Sequence, residues 1–157
     1  MRARSLDAAA LIAEIGRMSL PVIDVSALVM DAAPARKAKV AAEIGEALVE
    51  DGFFYAIGHG VAPATFAALD AAARAFFALP EPEKLEIAMA KGGKAWRGYF
   101  PVGEELTSGL PDQKEGVYFG TELGADHAAV RAGVPLHGAN LFPARVPALR
   151  AAVLNYM

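Results

Sequence analysis

The stretch 51–61, DGFFYAIGHGV, constrains the fold more than any other part of the sequence. Its apolar run Phe53–Ile57 is bracketed by Gly52 and Gly58. A short, aromatic-rich apolar run between glycines is typical of a strand that is buried on both faces. Glycines on either side of His59 allow the backbone to take positive φ in a tight turn. We therefore expect a buried strand, with the helical segments before and after it packed against it.

Helical patterns led by prolines flank this strand. Pro34 opens the first pattern and Pro63 opens the second, at positions where a helix tolerates a missing N–H. Apolar residues recur at helical spacing in both, which predicts two helices with one buried stripe each. The stripes are Val40, Ile44, Ala47 and Leu48 in the first, and Phe66, Leu69, Ala73, Phe76 and Phe77 in the second.

Shorter elements are predicted elsewhere. Residues 22–25 form a strand, in which Asp24 is either a catalytic carboxylate or an acceptor for local backbone N–H groups. Further strands are expected at 96–100 and 115–119, a short helix around 128–131 and a helix from Pro147. Residues 5–17 form a short helix or a loose extension, and Met18 is an alternative start.

Composition and charge limit the classes of protein. The chain has 157 residues, a net charge of −3 and no cysteine, so disulfides, thiolate metal sites and cysteine nucleophiles are excluded. The acidic balance argues against a nucleic-acid partner. No apolar run reaches the length of about 18 residues that a membrane helix needs. Because Asp7 and Glu14 interrupt the N-terminal apolar segment, we reject a signal peptide and expect a cytoplasmic protein.

Motifs for catalysis are incomplete in this sequence. None of His59, His127 and His137 begins a His-x-Asp or His-x-Glu pair, and no His-Glu-x-x-His helix, nucleophile elbow or phosphate loop is found. The three histidines either converge in space around a metal or each bond to loop backbone groups. The residues alone do not assemble an active site.

Four segments in order nevertheless resemble a known family. They are Leu20–Asp24, the GFF…HG stretch 51–61, residues 97–120 with Arg97-Gly98-Tyr99-Phe100-Pro101, and the loop His137–Pro143 with its HGxNxxP pattern. Gly58 stands where asparagine is frequent in the family. Together these segments resemble the N-terminal half of the isopenicillin N synthase-like, 2-oxoglutarate/Fe(II)-dependent dioxygenases.

The resemblance implies an α+β fold of outer helices and the first strands of a double-stranded β-helix (jelly roll). It implies three segments: an N-terminal extension 1–18, the dioxygenase N-terminal region 19–143, and the beginning of a connecting helix 144–157. In the family, iron is held by His-x-Asp and a distant His, and 2-oxoglutarate by Arg-x-Ser, all downstream of the HGxNxxP loop. Arg17-Met18-Ser19 spells Arg-x-Ser but precedes the whole pattern, and we treat it as chance.

The implied activity is oxidation of a small-molecule substrate, by hydroxylation, desaturation or cyclisation, with Fe(II) and 2-oxoglutarate as cofactors. We expect neither cofactor to bind this chain by itself, and we expect the chain to be inactive and to self-associate. The alternative is a non-catalytic binding module derived from the same fold. Arg97, Tyr99 and Tyr118 are candidates for the substrate pocket, against the alternative of a surface arginine and a packed tyrosine.

Overall fold

The computed structural model describes residues 20–157, which form two compact units that divide after Gly60. The predicted extension 1–18 and the helix at 5–17 lie outside the described residues. In the first unit, two short parallel strands pair with Val22 opposite Tyr55 and Asp24 opposite Ile57. The elements of this unit are β1 (Val22–Asp24), α1 (Ser26–Val29), α2 (Pro34–Glu50) and β2 (Tyr55–Ile57).

The core of the first unit lies between α2 and the strand pair. Its buried residues are Ile23, Val25, Ala27, Val40 and Ala47, with Ala32, Ile44 and Phe54 packed at the edge. The predicted stripe of α2 is therefore correct except at Leu48, which is 51% exposed.

Asp24 bonds to the backbone beside it. Its carboxylate accepts a hydrogen bond of 2.9 Å from the Ser26 backbone N–H, and this bond lowers the pKa of Asp24. The prediction that Asp24 accepts local backbone hydrogen bonds is confirmed.

Burial of β2 on both faces was a wrong prediction. Phe53, Tyr55 and Ile57 are all more than half exposed. Ala56 is aligned with Ile23 and shares its face of the strand pair. Because side chains alternate along a strand, Tyr55 and Ile57 point the other way, and no helix of residues 20–60 covers that face. The aromatic-rich run predicted the strand correctly but not its surroundings.

The second unit is built around an antiparallel pair in which Tyr99 lies opposite Val117. The predicted strand at 96–100 begins at Gly98, because Trp96 takes a left-handed backbone conformation. Short 3-10 turns occupy 85–87 and 89–95. The other elements are α3 (Pro63–Phe77), α4 (Glu81–Lys84), β3 (Gly98–Phe100), β4 (Leu106–Thr107), β5 (Leu110–Pro111), β6 (Gly116–Tyr118), α5 (Ala128–Arg131) and α6 (Ala148–Tyr156).

Helices α3 and α6 pack together over β3, and this contact forms the core of the second unit. Phe76 and Tyr99 are the most deeply buried side chains, and their rings meet edge to face with centroids 5.8 Å apart. Full burial of a side chain of this size contributes roughly 1.5–3 kcal/mol. The other buried members are Ala72, Ile87, Val146, Leu149, Ala152 and Val153.

An open apolar groove of about 280 Å³ lies between α3, β6 and α6. Phe77, on its wall, is 38% exposed, and Phe66 is 43% exposed although its ring meets that of Tyr156 edge to face. The prediction that the whole α3 stripe is core therefore holds for Phe76 but is wrong for these two residues. The groove is lined by Leu69, Ala73, Phe76, Phe77, Val117, Phe119, Leu149, Val153, Tyr156 and Met157. Across residues 20–157, no helix has the length and apolarity needed to cross a membrane.

Candidate functional site

The three candidate residues lie on or beside the β3–β6 pair but do not converge. Tyr99 and Val117 are register partners and share one face of the pair, toward the core. Tyr118 is aligned with Gly98, one residue along, and so points to the opposite face, where its ring lies 5.1 Å from that of Phe100. The structure thus separates the two tyrosines by the thickness of the strand pair.

Arg97 is buried and bonded to backbone carbonyls. It is 9% exposed, so the alternative of a surface arginine is wrong. Its Nη1 donates to the Ala95 carbonyl at 2.8 Å and its Nη2 to the Leu136 carbonyl at 2.9 Å. Nε is buried and has no hydrogen-bond partner among the described residues. The guanidinium therefore ties the start of β3 to a loop thirty-nine residues further along the chain.

Tyr99 belongs to a buried ionic group. Its hydroxyl donates to Glu115 Oε2 at 2.5 Å, and Lys84 Nζ lies 2.5 Å from the same oxygen and 5.3 Å from the Tyr99 ring centroid. Burial raises the pKa of Glu115, but the hydrogen bonds from Lys84 and Tyr99 outweigh it and the net shift is downward. Burial, followed by the Glu115 carboxylate, raises the pKa of the Tyr99 hydroxyl. The group joins α4, β3 and the entry to β6.

Tyr118 lies in a more exposed polar cluster. It is 37% exposed, and its hydroxyl donates to Glu105 Oε1 at 2.5 Å, which raises the pKa of Tyr118. Lys114 bridges Glu105 at 3.3 Å and Asp112 at 3.0 Å, and its hydrogen bond lowers the pKa of Asp112. Tyr118 is the most exposed of the three candidates and is therefore the one that a ligand can reach from solvent.

A second buried network surrounds Asn140, and the sequence motifs did not predict it. The Asn140 side chain exchanges two hydrogen bonds with the Gly120 backbone, at 2.9 and 2.7 Å. Its Nδ2 and backbone N–H both donate to Glu122, which also accepts from Arg150 at 3.0 Å. Burial raises the pKa of Glu122, but these donors reverse the shift. The asparagine of the HGxNxxP loop was the available signal, and its structural role is to fasten that loop to the chain after β6.

Two of the histidines bond to nearby backbone, as one of the two interpretations predicted. His127 Nδ1 accepts from the Ala129 N–H at 3.3 Å and caps α5, and His137 Nδ1 lies 2.9 Å from the Pro135 carbonyl. Among residues 20–157, no group of three His, Asp or Glu side chains could hold a metal ion. The donors that are described here therefore do not fit an iron centre, and we derive no step through iron. Arg17-Met18-Ser19 lies outside the described residues.

Known proteins match the sequence of this chain over most of its length. The family model described as the N-terminal region of non-haem dioxygenases in morphine synthesis matches residues 20–145. A Dictyostelium discoideum protein named "Probable iron/ascorbate oxidoreductase" is 47% identical over 125 residues, covering 79% of this chain and 34% of the relative. A 2-oxoglutarate-dependent dioxygenase of Aspergillus niger is 34% identical over 136 residues, covering 85% of this chain and 40% of the relative.

A solved structure agrees with the sequence relatives. A protein of the 2OG-Fe(II) oxygenase family from Caulobacter crescentus superposes with a TM-score of 0.63 at 30% identity, covering 87% of this chain and 42% of the other. The predicted α+β fold with the first strands of a jelly roll is confirmed by this likeness. The chain covers 34% and 40% of the length of these two relatives, whose names refer to iron and to 2-oxoglutarate respectively. By its family match and its relatives, the chain belongs to the N-terminal region of the 2-oxoglutarate/Fe(II)-dependent dioxygenases.

Proposed function

We propose that this chain is the scaffold portion of a 2-oxoglutarate- and iron-dependent oxygenase that oxidises a small molecule, and that it has no turnover by itself. The observation that supports this proposal most directly is the family match over residues 20–145. In addition, no three His, Asp or Glu side chains of the described residues are placed to hold a metal ion. In a complete oxygenase, iron and 2-oxoglutarate supply the oxidising chemistry. The residues described here would orient the substrate-facing strands and exclude water.

The three candidate residues receive different roles in this proposal. Tyr118, which is partly exposed and whose hydroxyl donates a hydrogen bond to Glu105, would contact substrate. Arg97 and Tyr99, both buried and bonded within the chain, would act as positioning residues for β3. In a complete enzyme, Tyr118→Phe would raise the substrate KM with little change in kcat, whereas Arg97→Ala would lower thermal stability together with activity. Unchanged KM in Tyr118→Phe would remove Tyr118 from the pocket.

The apolar groove supports a scaffold role. Exposed apolar surfaces of this kind mark contact sites for further protein, and this chain covers only 34% and 40% of the length of two of its relatives. We propose that more of the same fold covers the groove in the complete enzyme, and that the isolated chain self-associates through it. Sedimentation velocity tests this: we expect concentration-dependent association, and a stable monomer at all concentrations would contradict it.

The proposed lack of turnover is tested by metal and cosubstrate titration of the 157-residue chain. We expect no stoichiometric Fe(II) complex and no succinate from 2-oxoglutarate. A one-to-one iron complex that consumes 2-oxoglutarate would overturn the proposal.

The oxygenase assignment is tested separately on the coding sequence beyond codon 157. An in-frame His-x-Asp…His…Arg-x-Ser pattern supports it, and a continuation without that pattern would instead support a non-catalytic binding module.

A further inference from the structure

A depression of about 350 Å³ opens in the second unit between residues 91–95 and 130–141. Its volume lies within the range of small-molecule sites. Val130, Val134 and Leu141 provide apolar wall. The side chains of Lys91, Lys94 and His137 also line it, and no Asp or Glu is found among its described lining residues. The depression therefore combines an apolar wall with two lysines and no carboxylate among its described lining residues.

Two residues next to its walls have an unusual backbone conformation. Trp96 and Leu136 are non-glycine residues with positive φ, 56° and 65°. Such conformations cost about 1–3 kcal/mol each, persist only where the surroundings fix them, and cluster at functional sites. Here the Leu136 N–H donates to the Lys94 carbonyl at 2.9 Å, and Arg97 Nη2 donates to the Leu136 carbonyl at 2.9 Å. These bonds join the two walls and preorganise the space between them.

The polar groups of the depression are oriented before any ligand arrives. Since the Pro135 carbonyl can only accept, the His137 Nδ1 at 2.9 Å carries the hydrogen, and this bond fixes the orientation of the ring. Lys91 Nζ donates to the Leu85 and Glu86 carbonyls at 3.1 and 2.8 Å, so its ammonium is held by the fold. Lys94 Nζ lies over Gly133, 3.0 Å from where a Cβ would stand.

We propose that this depression binds a small monocarboxylate with an apolar tail. The carboxylate would meet Lys94, and the tail would pack against Val130, Val134 and Leu141. Ammonium groups form strong, charge-assisted hydrogen bonds with carboxylates, and apolar wall favours a hydrocarbon body over a strongly hydrated anion such as free phosphate. The inference rests on the second unit alone and is independent of the proposed oxygenase function.

A tryptophan next to the depression can report binding through its fluorescence. Trp96 is the single tryptophan of the sequence, is 58% exposed and follows the Lys94–Ala95 wall. Hexanoate is titrated into the 157-residue chain, followed by Trp96 fluorescence and by saturation-transfer NMR of the ligand, which tolerates self-association. Hexanamide controls for charge and acetate controls for the tail. We expect saturable hexanoate binding, with hexanamide weaker by about tenfold because it lacks the charged hydrogen bond, and acetate weaker by at least about tenfold because it lacks four CH₂ groups that the apolar wall would bury.

Two variants locate the binding. Lys94→Met keeps most of the apolar stem and removes the ammonium, and we expect about tenfold weaker hexanoate binding. Lys39→Met removes an exposed cation of the first unit and should leave binding unchanged. If Lys94→Met does not fold, as judged by circular dichroism, the comparison of hexanoate with hexanamide and acetate on the unaltered chain decides. Absence of saturation, equal binding of hexanoate and either control ligand, or equal affinity in the two variants would each overturn the proposal.

Discussion

Replacement of Glu115 by glutamine removes the negative charge from the buried group that joins Lys84 to Tyr99. The Lys84 side chain is only 9% exposed and its Nζ lies 2.5 Å from Glu115 Oε2. Breaking a buried ion pair by removing one partner costs about 3–5 kcal/mol, because the other charge remains buried without compensation. The Glu115 side chain is 27% exposed and glutamine still accepts a hydrogen bond, so water and the amide offset part of this cost. We expect the free energy of unfolding to fall by about 2–4 kcal/mol.

Urea unfolding at pH 7, followed by far-UV circular dichroism and by Trp96 fluorescence, measures this change. The matched control is Asp70→Asn on α3, whose carboxylate pairs with Arg74 at 2.8 Å but with both side chains more than 60% exposed, and there the change should be much smaller. Adding Lys84→Met to Glu115→Gln should recover most of the loss, because it removes the uncompensated charge. The reasoning is refuted if Glu115→Gln costs no more than the control, or if the double variant is no more stable than the single one.

Three further substitutions test other contacts and surfaces of the second unit. Because the pKa values of Glu115 and Glu122 are lowered by folding, their stabilisation is complete above the ordinary value of 4.5 and is lost as pH falls through the folded values, so Glu122→Gln should flatten the acid limb of a stability-against-pH curve. In Gly120→Ala, the new Cβ would overlap the Arg97 guanidinium, and thermal unfolding should reveal a loss of about 1–3 kcal/mol. Phe77→Ser on the groove wall should weaken self-association in sedimentation velocity, and unchanged association would place the contact elsewhere.

Local patterns predicted the secondary structure well. Pro34 and Pro63 mark the first turns of the two long helices, and the short helix expected at 128–131 is present over those residues. These features depend on neighbouring residues only, so composition and periodicity are sufficient. The strand expected at 96–100 begins only at Gly98, because the positive φ of Trp96 is incompatible with a strand conformation.

Contacts between distant residues were not predictable in the same way. Lys84 and Glu115 are thirty-one residues apart, and Glu122 and Arg150 twenty-eight, so neither pair leaves a local signal. The exposure of Tyr55 had the same cause: an apolar run predicts a strand, but what covers each face depends on elements elsewhere in the fold. The Asn140 network was indicated only by the HGxNxxP resemblance, which identified the residue without its bonds.

The buried polar residues of the second unit serve its structure, whereas other surfaces of the unit are open to a ligand. Lys84, Arg97 and Asn140 are each at most 9% exposed, and each donates to acceptors within the chain, apart from the Arg97 Nε, which has no partner among the described residues. A donor that already serves the fold cannot bind substrate without leaving its partner unsatisfied, at a cost of about 1–3 kcal/mol. Surfaces that can take a ligand or more protein at no such cost are the apolar groove and the wall beside Lys94. For that reason the strongest tests of function in this chain are substitutions on those two surfaces, whereas substitutions in the buried networks test stability.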